Sequence, residues 1–139
     1  MKGQYLTLEY LIFFVIGVFL IVSVYYSFSE INKKYEAATT EYQLRMTGEM
    51  IMGNAIRLLE SSNHTDSKIS YDLEIPTKVS NCVYFIRMVN NLLSLECVNE
   101  LVRVNLTSYN FNIKIKNNII YSTDGVIHFT AENGEVEFG

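Results

Sequence analysis

Hydrophobic positions fall along the chain in three successive patterns. In the first, from Tyr10 to Ser29, twenty consecutive residues (YLIFFVIGVFLIVSVYYSFS) carry no charge. About 20 apolar residues, rising 1.5 Å each, cross a hydrocarbon core of about 30 Å. The run therefore predicts a membrane-spanning helix. Tyr5 and Tyr10 near one end, with Tyr25, Tyr26 and Phe28 near the other, suit the two membrane–water interfaces. A secretory signal peptide has an apolar region of only about 7–15 residues and small residues at its cleavage site. Here the run is longer and ends in YYSFSE, so the span is expected to stay attached.

The second pattern occupies residues 30–62, where no proline interrupts a stretch rich in good helix formers. Ile31, Tyr35, Ala38, Tyr42, Met46, Met50, Gly53 and Ile56 recur at three- and four-residue steps. They form one helical stripe, with Lys33, Glu41 and Arg45 off it. The stripe predicts an amphipathic helix lying on its own sheet, with Gly48 and Gly53 as its weak points. One helix from about Tyr5 to about Glu60 would measure on the order of 80 Å. The polar cluster Ser61-Ser62-Asn63 is suited to ending it.

Beyond residue 68 the period becomes two. Cys82–Ile86 and Leu92–Val98 are β-prone runs separated by Asn90-Asn91. Val102, Val104 and Leu106 alternate with Arg103 and Asn105; Phe111, Ile113 and Ile115 alternate with Asn112, Lys114 and Lys116. Asn117-Asn118, Asp124-Gly125 and Asn133-Gly134 read as turns, the last two as hairpin signals. The expected result is an antiparallel meander, and the fold class is α+β.

The cysteines bear on this sheet. A four-residue loop over Met88–Asn91 would set Cys82 directly opposite Cys97, at a separation a disulfide can bridge. A two-residue turn at Asn90-Asn91 would instead set Cys82 opposite Asn99. The pairing Cys82–Cys97 and a pair of buried thiols both remain open at this level. In either register Tyr84, Ile86, Leu93 and Leu95 share one face.

Composition narrows the function classes. The chain has 139 residues and a net charge of −4, with 15 acidic and 11 basic residues and no basic cluster, so nucleic acid is not an expected partner. His64 and His128 lack a cysteine, glutamate or second histidine at metal-ligand spacing. No nucleophile elbow or phosphate-binding glycine loop is present. No catalytic residue, metal or cofactor is expected. Glu132, Glu135 and Glu137, with Asp124, read as a solvated acidic edge that discourages unwanted strand pairing. Asn63-His64-Thr65 and Asn105-Leu106-Thr107 are glycosylation sequons.

The amino-terminal residues carry a further signal. Lys2-Gly3-Gln4 precedes a hydrophobic helix with Glu9 near its start. A short basic leader, a glycine and a glutamate-bearing apolar helix resemble the class III signal of type IV pilins and related archaeal surface proteins. The resemblance implies a leader of residues 1–3, cut between Gly3 and Gln4 by a prepilin-peptidase-like enzyme. It implies a membrane and filament-core helix over 4–29, a helical stalk over 30–62 and an extracellular β head over 63–139, the lollipop plan of pilins. The implied partners are copies of the chain or other pilin-like subunits, with the membrane as host before assembly. Glu9 would pair with the freed amino group of its own or an adjacent subunit, setting the axial register. In that family the glutamate stands fifth in the mature chain; counted from Gln4, Glu9 is sixth. Two other readings stay open. One is an archaellum stator-like protein, uncleaved and with a dedicated partner. The other is a monomeric, membrane-tethered binding domain. Cysteines, sequons and resemblance together place the carboxyl-terminal domain outside the cytoplasm.

Overall fold

The computed structural model describes residues 2–65, 67–89, 92–98, 102–107, 112–116 and 119–139, with side chains at all of these but 2–5, 65, 89 and 112. A helix, α1 (Lys2–Thr65), precedes the strands β1 (Ile69–Glu74), β2 (Tyr84–Val89), β3 (Leu92–Cys97), β4 (Arg103–Thr107), β5 (Asn112–Ile115), β6 (Ile119–Tyr121), β7 (Val126–Glu132) and β8 (Glu135–Phe138). A turn of 3-10 helix, Ser122–Asp124, separates β6 from β7. The fold is α+β, as the change of period implies. The chain divides into two compact units, Met1–Glu36 and Ala37–Gly139.

In the second unit, α1 packs on two four-stranded sheets, ordered β1-β7-β8-β5 and β4-β3-β2-β6. Its buried face is Thr40, Leu44, Thr47, Gly48, Ile51, Ala55, Leu59 and Ser62, again at three- and four-residue steps. Most of the stripe expected to cover the sheet lies on the other side of the helix, although Ile56 packs partly against the core. Tyr42, Met46 and Met50 on it are 63%, 51% and 38% exposed. The helix is apolar on two sides, and the sheets take the side with the smaller residues because it allows closer approach. Gly48 marks that approach: a Cβ there would meet Leu106 Cδ1 at 2.4 Å and Leu95 Cδ1 at 3.0 Å. Thr47 is tolerated on this face because its hydroxyl donates to the Gln43 carbonyl at 2.9 Å.

The inner faces of the sheets complete one core. Ile127, Phe129, Ala131, Val136 and Phe138 come from the first sheet, and Tyr84, Ile86, Leu93, Leu95 and Val104 from the second. Full burial of each large apolar side chain contributes roughly 1.5–3 kcal/mol. Phe129 and Phe138 are cross-strand partners whose rings lie 5.2 Å apart at a tilt of 45°.

The meander is only partly realised. β2, β3 and β4 are consecutive antiparallel neighbours, but β5 leaves for the other sheet and pairs with β8 in parallel. A parallel pair needs a crossover, and here β6, the 3-10 turn and β7 supply it. Asn133-Gly134 makes the expected two-residue hairpin, with φ of 51° and 79° and Glu132 opposite Glu135. Asp124-Gly125 does not make one: Gly125, at φ 71°, carries the chain from β6 in one sheet to β7 in the other. Asn90-Asn91, Asn117-Asn118 and Phe111 lie outside the described residues.

One hydroxyl holds the start of β2 in place. Ser122 Oγ donates to the Thr77 carbonyl at 2.8 Å and accepts from the Tyr84 backbone N–H at 3.1 Å. Ser122 is wholly buried. Ser122→Ala strands the buried Tyr84 N–H and removes the donor to the Thr77 carbonyl, so it is expected to cost about 1–3 kcal/mol in urea unfolding. An unchanged midpoint would remove this role.

Candidate functional site

The unit Met1–Glu36 is helical over all its described residues. Its apolar side chains are exposed among the described residues: Tyr10, Phe14, Phe19, Ile21 and Tyr25 are all about 70% exposed or more. None of the most apolar window is buried, and this helix is long and apolar enough to cross a membrane. The polar groups inside it are compatible with lipid. Ser23 Oγ donates to the Phe19 carbonyl at 2.8 Å, and Ser27 Oγ to the Ser23 carbonyl at 2.9 Å. Hydroxyls bonded back to the preceding turn need no water. Glu9 is exposed beside Leu8, Ile12 and Phe13, and is the sole charged residue between Leu6 and Ser29. Gly3 and Gln4 are helical, and their side chains are outside those described.

In the second unit Cys82 and Cys97 form a disulfide, with Cα atoms 5.8 Å apart. They do not do so as directly opposed strand residues. Tyr84 is opposite Cys97 and Val89 opposite Leu92, the register of the two-residue loop. Cys82 lies before β2, in a turn where Val79 and Cys82 exchange both backbone hydrogen bonds at 2.9 Å. Ser80 takes φ 54° there. The turn folds Cys82 back toward the end of β3, so the bridge forms although the register does not oppose the two residues. Both cysteines are buried. The turn-prone pair Ser80-Asn81 is the sequence signal for this.

Asn63 and Asn105 are exposed, as acceptors of a glycan must be. The acidic residues of the β7–β8 hairpin are partly neutralised. Glu132 and Glu135 oppose each other, an unfavourable like-charge pair. Lys68 lies 3.8 Å from Glu132, and Lys114 lies 2.7 Å from Glu135. No group of three or more metal-ligating side chains occurs among the described residues. His128 Nδ1 contacts Asp72 Oδ1 at 2.5 Å across β1 and β7, where the two residues are paired.

A network that the strand pattern alone did not expose lies on the outer face of the second sheet. Glu96 accepts from Arg87, from Arg103 Nε at 2.8 Å and from Ser94 Oγ at 3.1 Å. Alternation along β3 sets Glu96 outward, and its registry with Arg103 gives the contact. Burial opposes ionisation of Glu96. The hydrogen bonds from Ser94 and Arg103, with the charges of Arg103 and Arg87, outweigh it and hold the carboxyl below its usual range. A lowered folded-state pKa stabilises above the unfolded value and loses that stabilisation as pH falls through the folded one. The stability margin of the unsubstituted head over Glu96→Gln is therefore expected to be full at neutral pH and to shrink in acid, below about pH 4. Urea midpoints measured at pH 7 and pH 3 check this, and a margin that grows in acid contradicts it.

Comparison with protein-family models, with curated proteins and with solved structures returned no match.

Proposed function

We propose that this chain is a structural subunit of a type IV pilus-like surface filament. The amino-terminal part of α1 first holds it in the membrane and then packs against the same segment of neighbouring copies or other pilin-like subunits. The observation that carries this reading is the apolar surface from Leu6 to Phe28, on a helix long and apolar enough to cross a membrane. Lipid and like helices are the two environments in which such a surface is stable. The Cys82–Cys97 bond fits a head held in an oxidising, extracytoplasmic compartment. Glu9, alone among apolar side chains, favours a partner over solitude in lipid. The amino group released by cleavage between Gly3 and Gln4 is the partner assigned to it.

Intact mass of the protein taken from native membranes or filaments tests the reading. The expected mass lacks Met1–Gly3. An intact amino-terminal end, together with a fixed stoichiometry with a different protein, would support the stator-like alternative of a tethered partner-binding domain. The position of Glu9, sixth rather than fifth from Gln4, is the observation that favours that alternative.

A further inference from the structure

The outer face of α1 within the second unit is apolar but not uncharged. Glu49 is exposed among the exposed Tyr42, Met46 and Met50. Arg57, also exposed, lies eight residues on. Neither is in an ion pair among the described residues. The nearest cation in sequence, Arg45, is turned to Glu41 at 3.9 Å, the favoured order for a pair four residues apart. Gly53 occupies the middle of the same face, and a Cβ there would meet nothing within 4 Å. A mid-helix glycine costs roughly 0.5–1 kcal/mol relative to alanine, and no described residue fills the space it leaves.

These features complement one another when two copies run parallel. At about 100° per residue, Glu49 and Arg57 flank the centre of the face on opposite sides, roughly 80° apart. When two parallel helices meet face to face, the left flank of one lies beside the right flank of the other. A shift of eight residues, about 12 Å along the axis, then sets Glu49 of one copy beside Arg57 of the next. The same shift puts Tyr42 beside Met50 and brings Met46 over the open space at Gly53. We propose that Glu49 and Arg57 of successive copies form an ion pair on this face, and that the pair fixes their axial offset. A second copy fits better than a foreign partner for two reasons. Copies inserted through the same amino-terminal segment are necessarily parallel, and this one face supplies both charges. Pairing among apolar side chains penalises every offset that leaves a carboxylate buried alone.

The inference rests on the filament reading, and charge exchange in the full-length chain separates the two. Glu49→Lys and Arg57→Glu are each expected to reduce the filament fraction about tenfold or more, and the double exchange to restore most of it. Both residues are exposed, so the single variants should keep the disulfide and the thermal midpoint. Gly53→Leu should keep or raise the midpoint, because it removes the mid-helix glycine, while reducing assembly. In a mixture of Glu49→Cys and Arg57→Cys chains, a short cross-linker should join unlike copies in preference to like ones. Single variants that assemble at the unsubstituted yield, or a double variant no better than the worse single, overturn the contact and leave the filament reading intact. An unsubstituted chain that never assembles overturns both.

Discussion

Replacing Cys82 and Cys97 together with alanine is expected to lower the stability of the head by about 3 kcal/mol, the loop-closure effect for a separation of 15 residues. In a unit of this size that corresponds to a fall of roughly 10–20 °C in Tm. Alanine is the informative replacement because both positions are buried, and serine would add the separate cost of two hydroxyls there. The bond matters because of what it ties. Cys82 belongs to the turn before β2, which its hydrogen bonds with Val79 close on itself, whereas Cys97 ends a strand in mid-sheet. Without the bond, the return from Ile75 to Tyr84 rests on the buried side chains of Ile75 and Val79 and on a few polar contacts, among them the Tyr84 hydroxyl donating to the Pro76 carbonyl at 2.8 Å. Thermal unfolding of oxidised and substituted chains measures the difference. A change below about 0.5 kcal/mol, the range of ordinary surface substitutions, would show that the turn holds without it.

On the filament reading proposed above, Glu9→Ala is expected to reduce filament yield by about tenfold or more while leaving membrane insertion and the head unchanged. Removing the carboxylate makes the apolar segment more compatible with lipid and deletes the group whose burial requires a partner. The subunit should therefore accumulate in the membrane. Quantifying sheared filaments against membrane-retained protein distinguishes this from a loss of expression. Equal yields from Glu9→Ala and the unsubstituted chain would end the pairing role.

The apolar run was legible because twenty uncharged residues in sequence satisfy a length requirement that no local packing alters. The second half of the helix was legible as a helix but not as to which face is buried. Tyr42, Met46 and Met50 look more like core than Thr40, Thr47 and Gly48 do, yet the latter are buried. Hydrophobicity measures what a face would gain from cover, not which neighbour is close enough to give it. The β2–β3 register was undecidable for a related reason. The two alternatives differ by two residues, and a shift of two returns every side chain to the same face. Tyr84, Ile86, Leu93 and Leu95 point inward in both, and all four are buried. The sequence therefore left the disulfide open, and the four-residue loop that would have set its cysteines opposite each other is not the register that forms. The parallel partnership of β5 and β8 left no trace in alternation, which reports faces and not neighbours.

That partnership also orders events during biogenesis. β8 lies between β7 and β5, so β5 has no hydrogen-bonded neighbour in its own sheet until a strand some twenty positions later exists. Such distant closures are slow relative to helix formation. On the proposed reading, the amino-terminal segment would lodge in the bilayer while the sheets that follow it in sequence are still incomplete. On the membrane-anchored reading proposed above, a nascent molecule would search for its last strand at a fixed place on the membrane surface, rather than free in solution among other unfinished sheets.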